Sequence, residues 1–484
     1  MKSLRIALLL ALFGVVPLSL AEADLPQMGD AAGTLISPEE EKRLGEAFMR
    51  EIRRSVRIVD DPELTDYLQA LGSGLASQTD SYLHDFTFFW VDNSAINAFA
   101  APGGYIGVHT GLILATEDES ELASVVAHEV AHITQRHLPR SLEAANKMNL
   151  PTAAALVAAL ILGRGNSQVT EAALATTLAG SAQAQINFTR AHEQEADRLG
   201  IQMLAASQFD PRGMPDFFEK LQASYRFYDN NLPEFLSTHP VTTNRIADSR
   251  SRAEQYPTPP SNPYSLYLFM RAKTRVLTNP SSQENLAFFK AGMERGTARE
   301  KMAARYGYAL SLLQAARPVE ARRELVTLVQ QDPDRVPLIA ALAAVDAAEH
   351  KYADAIARLD DALLLFPGSH TLTMQLADAL IKDGQAEQAR RLLVEHSRQR
   401  STDPALFKLL AEAADGAGRR GESHYALAEH YYYGGETGTA VQQLKLARDQ
   451  TPKSDFYLSA RIDARMREMQ AELPASASTK LRLH

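Results

Sequence analysis

His128-Glu129-Val130-Ala131-His132 decides how this chain is read. The segment sits inside Glu119 to His137, a strongly helical stretch. On a helix, positions i and i+4 share one face, so both imidazoles can reach a single ion. Glu129 lies one step round, where its carboxylate can hold and deprotonate a water that the ion activates. The chain contains no cysteine. Thiolate metal sites, disulfides and lipidation at cysteine are excluded, and a metal here must use His, Asp or Glu. Neutral imidazole and carboxylate around a four-coordinate ion with one open position suit zinc, one ion per chain.

Beyond His132, the run Arg190-Ala191-His192-Glu193-Gln194-Glu195-Ala196-Asp197 puts Glu193, sixty-one residues on, and Asp197 at i and i+4. Glu193 is the expected third ligand. Asp197 is expected behind the ligands, accepting a hydrogen bond from a ligating imidazole and fixing its tautomer. Glu195 points elsewhere on the helix, and His192 faces about 100° from its neighbour Glu193. His84, His109 and His137 read as ordinary surface or core histidines.

Lys2 and Arg5 followed by the apolar run Ile6 to Val16 and the small residues of Ser19-Leu20-Ala21 form a secretory signal, residues 1–21. Cleavage is expected after Ala21, with Ala23 as second choice, and a retained anchor is the alternative. With 484 residues the chain exceeds one core and predicts two or three domains. Its net charge of -9 argues against nucleic acid as a partner.

Ser37-Pro38-Glu39-Glu40 opens a helical stretch expected to run to Ser77, with strands at Phe86–Val91 and Tyr105–His109. A domain over 22–251 is expected to end in a stiff linker, 252–265, which holds Pro257, Pro259, Pro260 and Pro263. Beyond it the chain repeats. Ala309, Ala343, Ala377 and Ala411 are 34 residues apart, as are Ala321, Ala355 and Ala389, and Leu325, Leu359 and Leu393. Small residues at that period resemble tetratricopeptide helix pairs, whose helices approach closely. The array is expected over 266–470, shifted by half a repeat after Ala411, with a flexible tail over 471–484. The fold class is thus mainly α: a helical zincin-type domain with a small β-sheet, then an α-solenoid.

The HEVAH helix, the later E-x-x-x-D helix and Thr238-His239-Pro240 followed by Arg245 together resemble the M48 family of zinc metallopeptidases. The order of parts resembles the periplasmic members of that family that carry C-terminal repeats and enhance β-barrel assembly. The resemblance implies zinc on His128, His132 and Glu193, with Glu129 as general base. His239 matches a family position with two roles open: oxyanion donor, or fourth ligand closing a resting site. Arg245 either binds the substrate carbonyl or pairs with an acid such as Asp197. Asn97-Ala98-Phe99-Ala100 and Pro102-Gly103-Gly104 match the strand edge on which an extended substrate docks. The stretch from Pro139 to Phe188 is the candidate lid.

By that resemblance the protein is a periplasmic endopeptidase that degrades misfolded or stalled outer-membrane proteins and assists their assembly. The repeats would dock the barrel-assembly machinery, and peripheral membrane association stays open. The alternative is a non-proteolytic chaperone or assembly adaptor with a closed zinc site. A third reading is a peptidase of secreted or cell-wall peptides.

Overall fold

The structure, a computed structural model, describes residues 37–79, 85–137, 154–155, 157–158, 182–227, 234–260 and 262–473. The signal segment, His84, most of the candidate lid and the tail beyond 473 lie outside the described residues. None of the described helices is long and apolar enough to cross a membrane.

The helical stretch after Ser37 divides in two. Helix α1 (Pro38–Ser55) begins with a capping box, in which the Ser37 hydroxyl accepts from the Glu40 amide and Glu40 reaches back to Ser37. Asp61 caps α2 (Pro62–Ala76). Between them Ile58 forms an isolated antiparallel bridge to Val91, so residues that looked helical instead border the sheet.

That sheet has three strands: β1 (Thr87–Val91), β2 (Ala98–Ala101) and β3 (Tyr105–His109), in the order β1-β3-β2. β1 runs parallel to β3 and β2 antiparallel to it, leaving the outer edge of β2 without a strand partner among the described residues. Short α3 (Thr110–Ala115) follows β3 directly, and α4 (Glu119–Thr134) is capped by Asp118. Twelve residues of α4 are buried, because the sheet, α2, α5 (Ala182–Ala206) and α6 (Gly213–Phe227) surround it. Gly200 of α5 permits the closest approach: a Cβ there would stand 2.8 Å from the Met214 Cε and 3.4 Å from the His128 amide nitrogen. Helices α7 (Glu234–Thr238) and α8 (Thr243–Ala253) complete this part.

The Pro-rich stretch does not separate two cores. Tyr267, Phe269 and Met270 of α9 (Tyr267–Thr278) are buried in the same apolar cluster as Leu64, Trp90 and Val126. The Tyr267 hydroxyl donates to the Thr116 carbonyl at 2.7 Å. Lys273 pairs with Asp61 at 2.9 Å and with Glu63, a buried cluster fixing α9 to the start of α2. After α10 (Ser282–Glu294), helices α11 (Ala298–Gln314) to α18 form pairs: α12 (Pro318–Gln331), α13 (Val336–Ala348), α14 (Tyr352–Leu365), α15 (His370–Lys382), α16 (Ala386–His396), α17 (Pro404–Gly416) and α18 (Arg420–Tyr433). The alanines of both 34-residue series are at most 2% exposed, as the close helix crossings require. Beyond Ala411, the residues expected one helix displaced, Ala440, Leu444 and Ala447, are fully buried. Ser423 continues the Ala321 series and donates to the Ala411 carbonyl at 2.9 Å across the helix pair. The array ends with α19 (Thr437–Gln450) and α20 (Phe456–Glu472). It returns to the first part, where Arg400 pairs with Asp66 at 2.6 Å and Arg50 with Glu472 at 3.2 Å.

His109 closes β3, and burial lowers its pKa to about 4. The unfolded chain takes up that proton near pH 6.5 and the folded chain does not, so this contribution to stability is complete above 6.5 and declines as pH falls to about 4. His109→Gln should flatten the fall in unfolding free energy between pH 7 and pH 4.5, read by urea titration, by roughly 2–3 kcal/mol.

Candidate metal centre

His128 and His132 project from one face of α4, as their spacing requires, and α5 brings Glu193 against them. His128 Nε2 stands 3.0 Å from His132 Nε2. Glu193 places Oε2 at 3.3 Å from His128 Nε2 and Oε1 at 3.3 Å from His132 Nε2. His239, held by its amide donating to the Phe235 carbonyl at 2.7 Å, turns Nδ1 to within 3.3 Å of His128 Nε2 and 3.1 Å of Glu193. One donor atom from each of these four residues lies within 4.8 Å of the others.

Protons can be assigned by elimination. A carboxylate only accepts, so His128 Nδ1, 3.0 Å from Asp197 Oδ1, carries a proton, and a metal ion displacing the second proton would meet the lone pair of Nε2. Arg245 backs Asp197 with two hydrogen bonds of 2.7 Å, donates to the Pro240 carbonyl at 2.8 Å and reaches Glu193 at 2.9 Å. It is 4% exposed and wholly engaged behind the donors. Of the two roles open to it, the pairing with Asp197 is the one formed in this structure. Arg245 stands in the first turn of α8, where its amide donates to the capping Thr242 hydroxyl at 3.3 Å.

Burial works against charge throughout, and the partners decide the outcome. Burial disfavours protonation of His128, but Asp197 and Glu193 outweigh it and raise its pKa to about 10. Burial also opposes ionisation of Glu193 and Asp197. Facing His239, His128 and His132 hold the Glu193 carboxyl well below its usual range, and Arg245 with His128 lowers that of Asp197. Burial lowers His132. Such a set binds a cation avidly, whether a proton or a metal ion displacing it.

The residues fit a zinc ion. Zinc bonds of 2.0–2.1 Å in a tetrahedron set ligand atoms about 3.3 Å apart, and the pairs above are 3.0–3.3 Å apart. Glu129 is 1% exposed, with Oε1 3.4 Å from His239 Nε2 and without a hydrogen-bond partner. A buried carboxylate oxygen left so beside three imidazoles is a place for a polar reactant.

His137 was missed by the sequence reading. Its Nδ1 faces His132 Nδ1 at 2.9 Å, its Nε2 lies 3.4 Å from Glu195, and its ring stacks on His192 at 3.9 Å. With Glu195 accepting from Nε2–H, His137 Nδ1 accepts from His132, which leaves the His132 Nε2 lone pair facing the site. No helical period announces this, since five residues are about 140° apart on a helix. Arg136 makes the contact by adopting φ 53°, just past the end of α4, and by pairing with buried Glu41 at 3.4 Å. His137→Ala should weaken zinc binding about tenfold or more in competition with a chelator, with helix content unchanged.

Comparisons with known proteins agree with this centre. The profile of peptidase family M48 matches residues 62–253, and a tetratricopeptide repeat profile matches residues 346–413. A β-barrel assembly-enhancing protease of Yersinia pestis is 37% identical over 94% of this chain and 93% of its own length. The protein of that name in Escherichia coli K12 is 35% identical over 97% of each. A mitochondrial metalloendopeptidase of Arabidopsis thaliana is 33% identical over 31% of this chain and 28% of its own. These matches carry the HEVAH helix, the Glu193 helix and the repeats together: the chain belongs to the M48 family of metallopeptidases, among members with C-terminal tetratricopeptide repeats.

Proposed function

We propose that this chain is a zinc-dependent endopeptidase of the periplasm that degrades misfolded or stalled outer-membrane proteins and assists their assembly. The observation that carries the catalytic part is the convergence of His128, His132 and Glu193 beside the unpartnered Oε1 of buried Glu129. The near full-length likeness to β-barrel assembly-enhancing proteases supports the substrate class, and residues 1–21 support export. The barrel-assembly machinery is the partner we assign to the repeats, on the same likeness.

Zinc bound by His128, His132 and Glu193 would supply a Lewis acid and bring the pKa of a water toward neutrality. Glu129 Oε1 takes the water's proton and passes it to the leaving amine. Asp197 and His137 keep both ligand imidazoles in the Nε2-presenting tautomer, and Arg245 prevents Asp197 from leaving its place. An extended substrate pairs with the outer edge of β2, which packs beside α4.

The adaptor reading retains one observation in its favour: His239 lies among the donors, placed to close the site as a fourth ligand. We assign it that resting role, with activity requiring its withdrawal. The purified mature chain should cut a misassembled barrel protein and spare short peptides, and His239→Ala should cut faster at equal zinc content. Failure of both proteins to cut, with barrel assembly still accelerated, would establish the adaptor. Efficient cutting of short peptides would favour a peptidase of secreted peptides.

A further inference from the structure

A second concave surface lies at the seam between α3 and the start of the array. Helices α3, α9, α10 and α11 enclose a groove of about 340 Å³ with an apolar floor that includes Leu114, Phe288 and Phe289. Arg271, Arg275 and Arg295 line it, against a single acid, Glu300. That acid is committed, because the Thr297 amide donates to its carboxylate at 2.6 Å in the capping box of α11.

The three guanidiniums differ from many others in the array. Several arginines of the array are neutralised at close range: Arg322 by Asp346 and Glu349 at 2.8 and 2.9 Å, Arg465 by Glu429 at 2.8 Å. Arg271, Arg275 and Arg295 form no ion pair with any described carboxylate. Arg271 donates only to the Leu114 carbonyl, at 3.2 Å. Arg275 lies 3.6 Å above the ring of Phe288, which is 51% exposed, and its Nε is buried without a hydrogen-bond partner. In a chain of net charge -9, three guanidiniums without a close ion pair on an apolar floor, with Glu284 and Glu300 acting on them only at longer range, call for an anion that also carries an apolar group. A bare anion would leave the phenylalanines exposed. The volume is at the small end of ligand pockets, enough for a few side chains and too little for the acyl chains of a lipid.

We propose that this groove docks an extended polypeptide segment in which an acidic side chain stands next to an aromatic or large aliphatic one. The assignment of the occupant as a peptidase substrate rests on the reading above; the groove's chemistry does not. The α3 wall follows directly from β3, so the bound segment would lie on the same framework that carries the β2 edge.

The test is fluorescence anisotropy on the full mature chain carrying Glu129→Gln, so that nothing is cut. The probes are a labelled Gly-Ser peptide with an Asp-Phe-Asp core and its Asn-Phe-Asn counterpart. The acidic peptide should bind at least about tenfold more tightly, and salt should weaken it. Arg275→Gln and Arg295→Gln should each cost about tenfold. Arg295 is exposed, so its variant decides the matter even if Arg275→Gln unfolds. Equal binding of the two peptides, or affinity unchanged in Arg295→Gln, overturns the proposal. Arginine-dependent binding to phosphatidylglycerol vesicles without peptide binding also overturns it, in favour of a lipid. Because the readout is binding to an inactive variant, capture without proteolysis by the wild type would sink only the protease reading. Proteolysis without capture would sink only the groove.

Discussion

Glu129→Gln should lower cleavage of an unfolded outer-membrane protein by about 10²–10⁴-fold while leaving zinc content and melting temperature near those of the wild type. The carboxylate does not belong to the set of four convergent donors. It is fully buried within α4, and its Oε1 has no hydrogen bond to lose. Gln has the same shape and fills the same space, so packing against the neighbouring helices persists. What disappears is an oxygen able to receive a proton. A purely structural zinc would not need that oxygen, so an unchanged cleavage rate would show that proteolysis, if present, proceeds elsewhere.

Asp197→Ala should have the largest effect on stability. It removes the acceptor of both 2.7 Å hydrogen bonds from Arg245 and of the His128 Nδ1–H. Arg245 is 4% exposed and keeps only Glu193 and the Pro240 carbonyl. Breaking a buried pair by removing one partner costs about 3–5 kcal/mol, since the remaining charge stays out of water. The effect should appear as a lowered urea midpoint of the metal-free chain. Zinc affinity should fall about 10–100-fold as well, because His128 loses the partner that fixes its tautomer. Asp197→Asn retains an oxygen acceptor and should recover part of both. A metal-free midpoint unchanged in Asp197→Ala would contradict this account of Arg245.

The two helical pairs of the centre were legible because each is local, whereas His239, a donor far from both in sequence, was not fixed by any spacing. His128 with His132, and Glu193 with Asp197, are spaced four apart, and helical geometry alone puts each pair on one face. The bond between Arg245 and Asp197 spans 48 residues. Sequence could state it as one of two choices, and only the packing of α8 on α5 brings it about. His137 was hidden for a different reason: a left-handed residue, Arg136, returns the chain to the metal face against the helical period. The repeats were legible through buried alanines at a fixed step. Beyond Ala411 the same template of small and apolar residues is buried at Ala440, Leu444 and Ala447, and Ser423 fills a small space against the Ala411 carbonyl. The prolines of 252–265 mark where helices stop. They carry no information about what the next helix packs against, and α9 packs into the core of the first part.

The most direct measurement is stepwise zinc reconstitution of the metal-free mature chain, followed by cleavage of an unfolded outer-membrane barrel protein. The account predicts no cleavage without metal, a rise that ends at one zinc per chain, and none at any zinc level in Glu193→Gln. Cleavage by the metal-free chain, or full activity in Glu193→Gln at one equivalent, would contradict it.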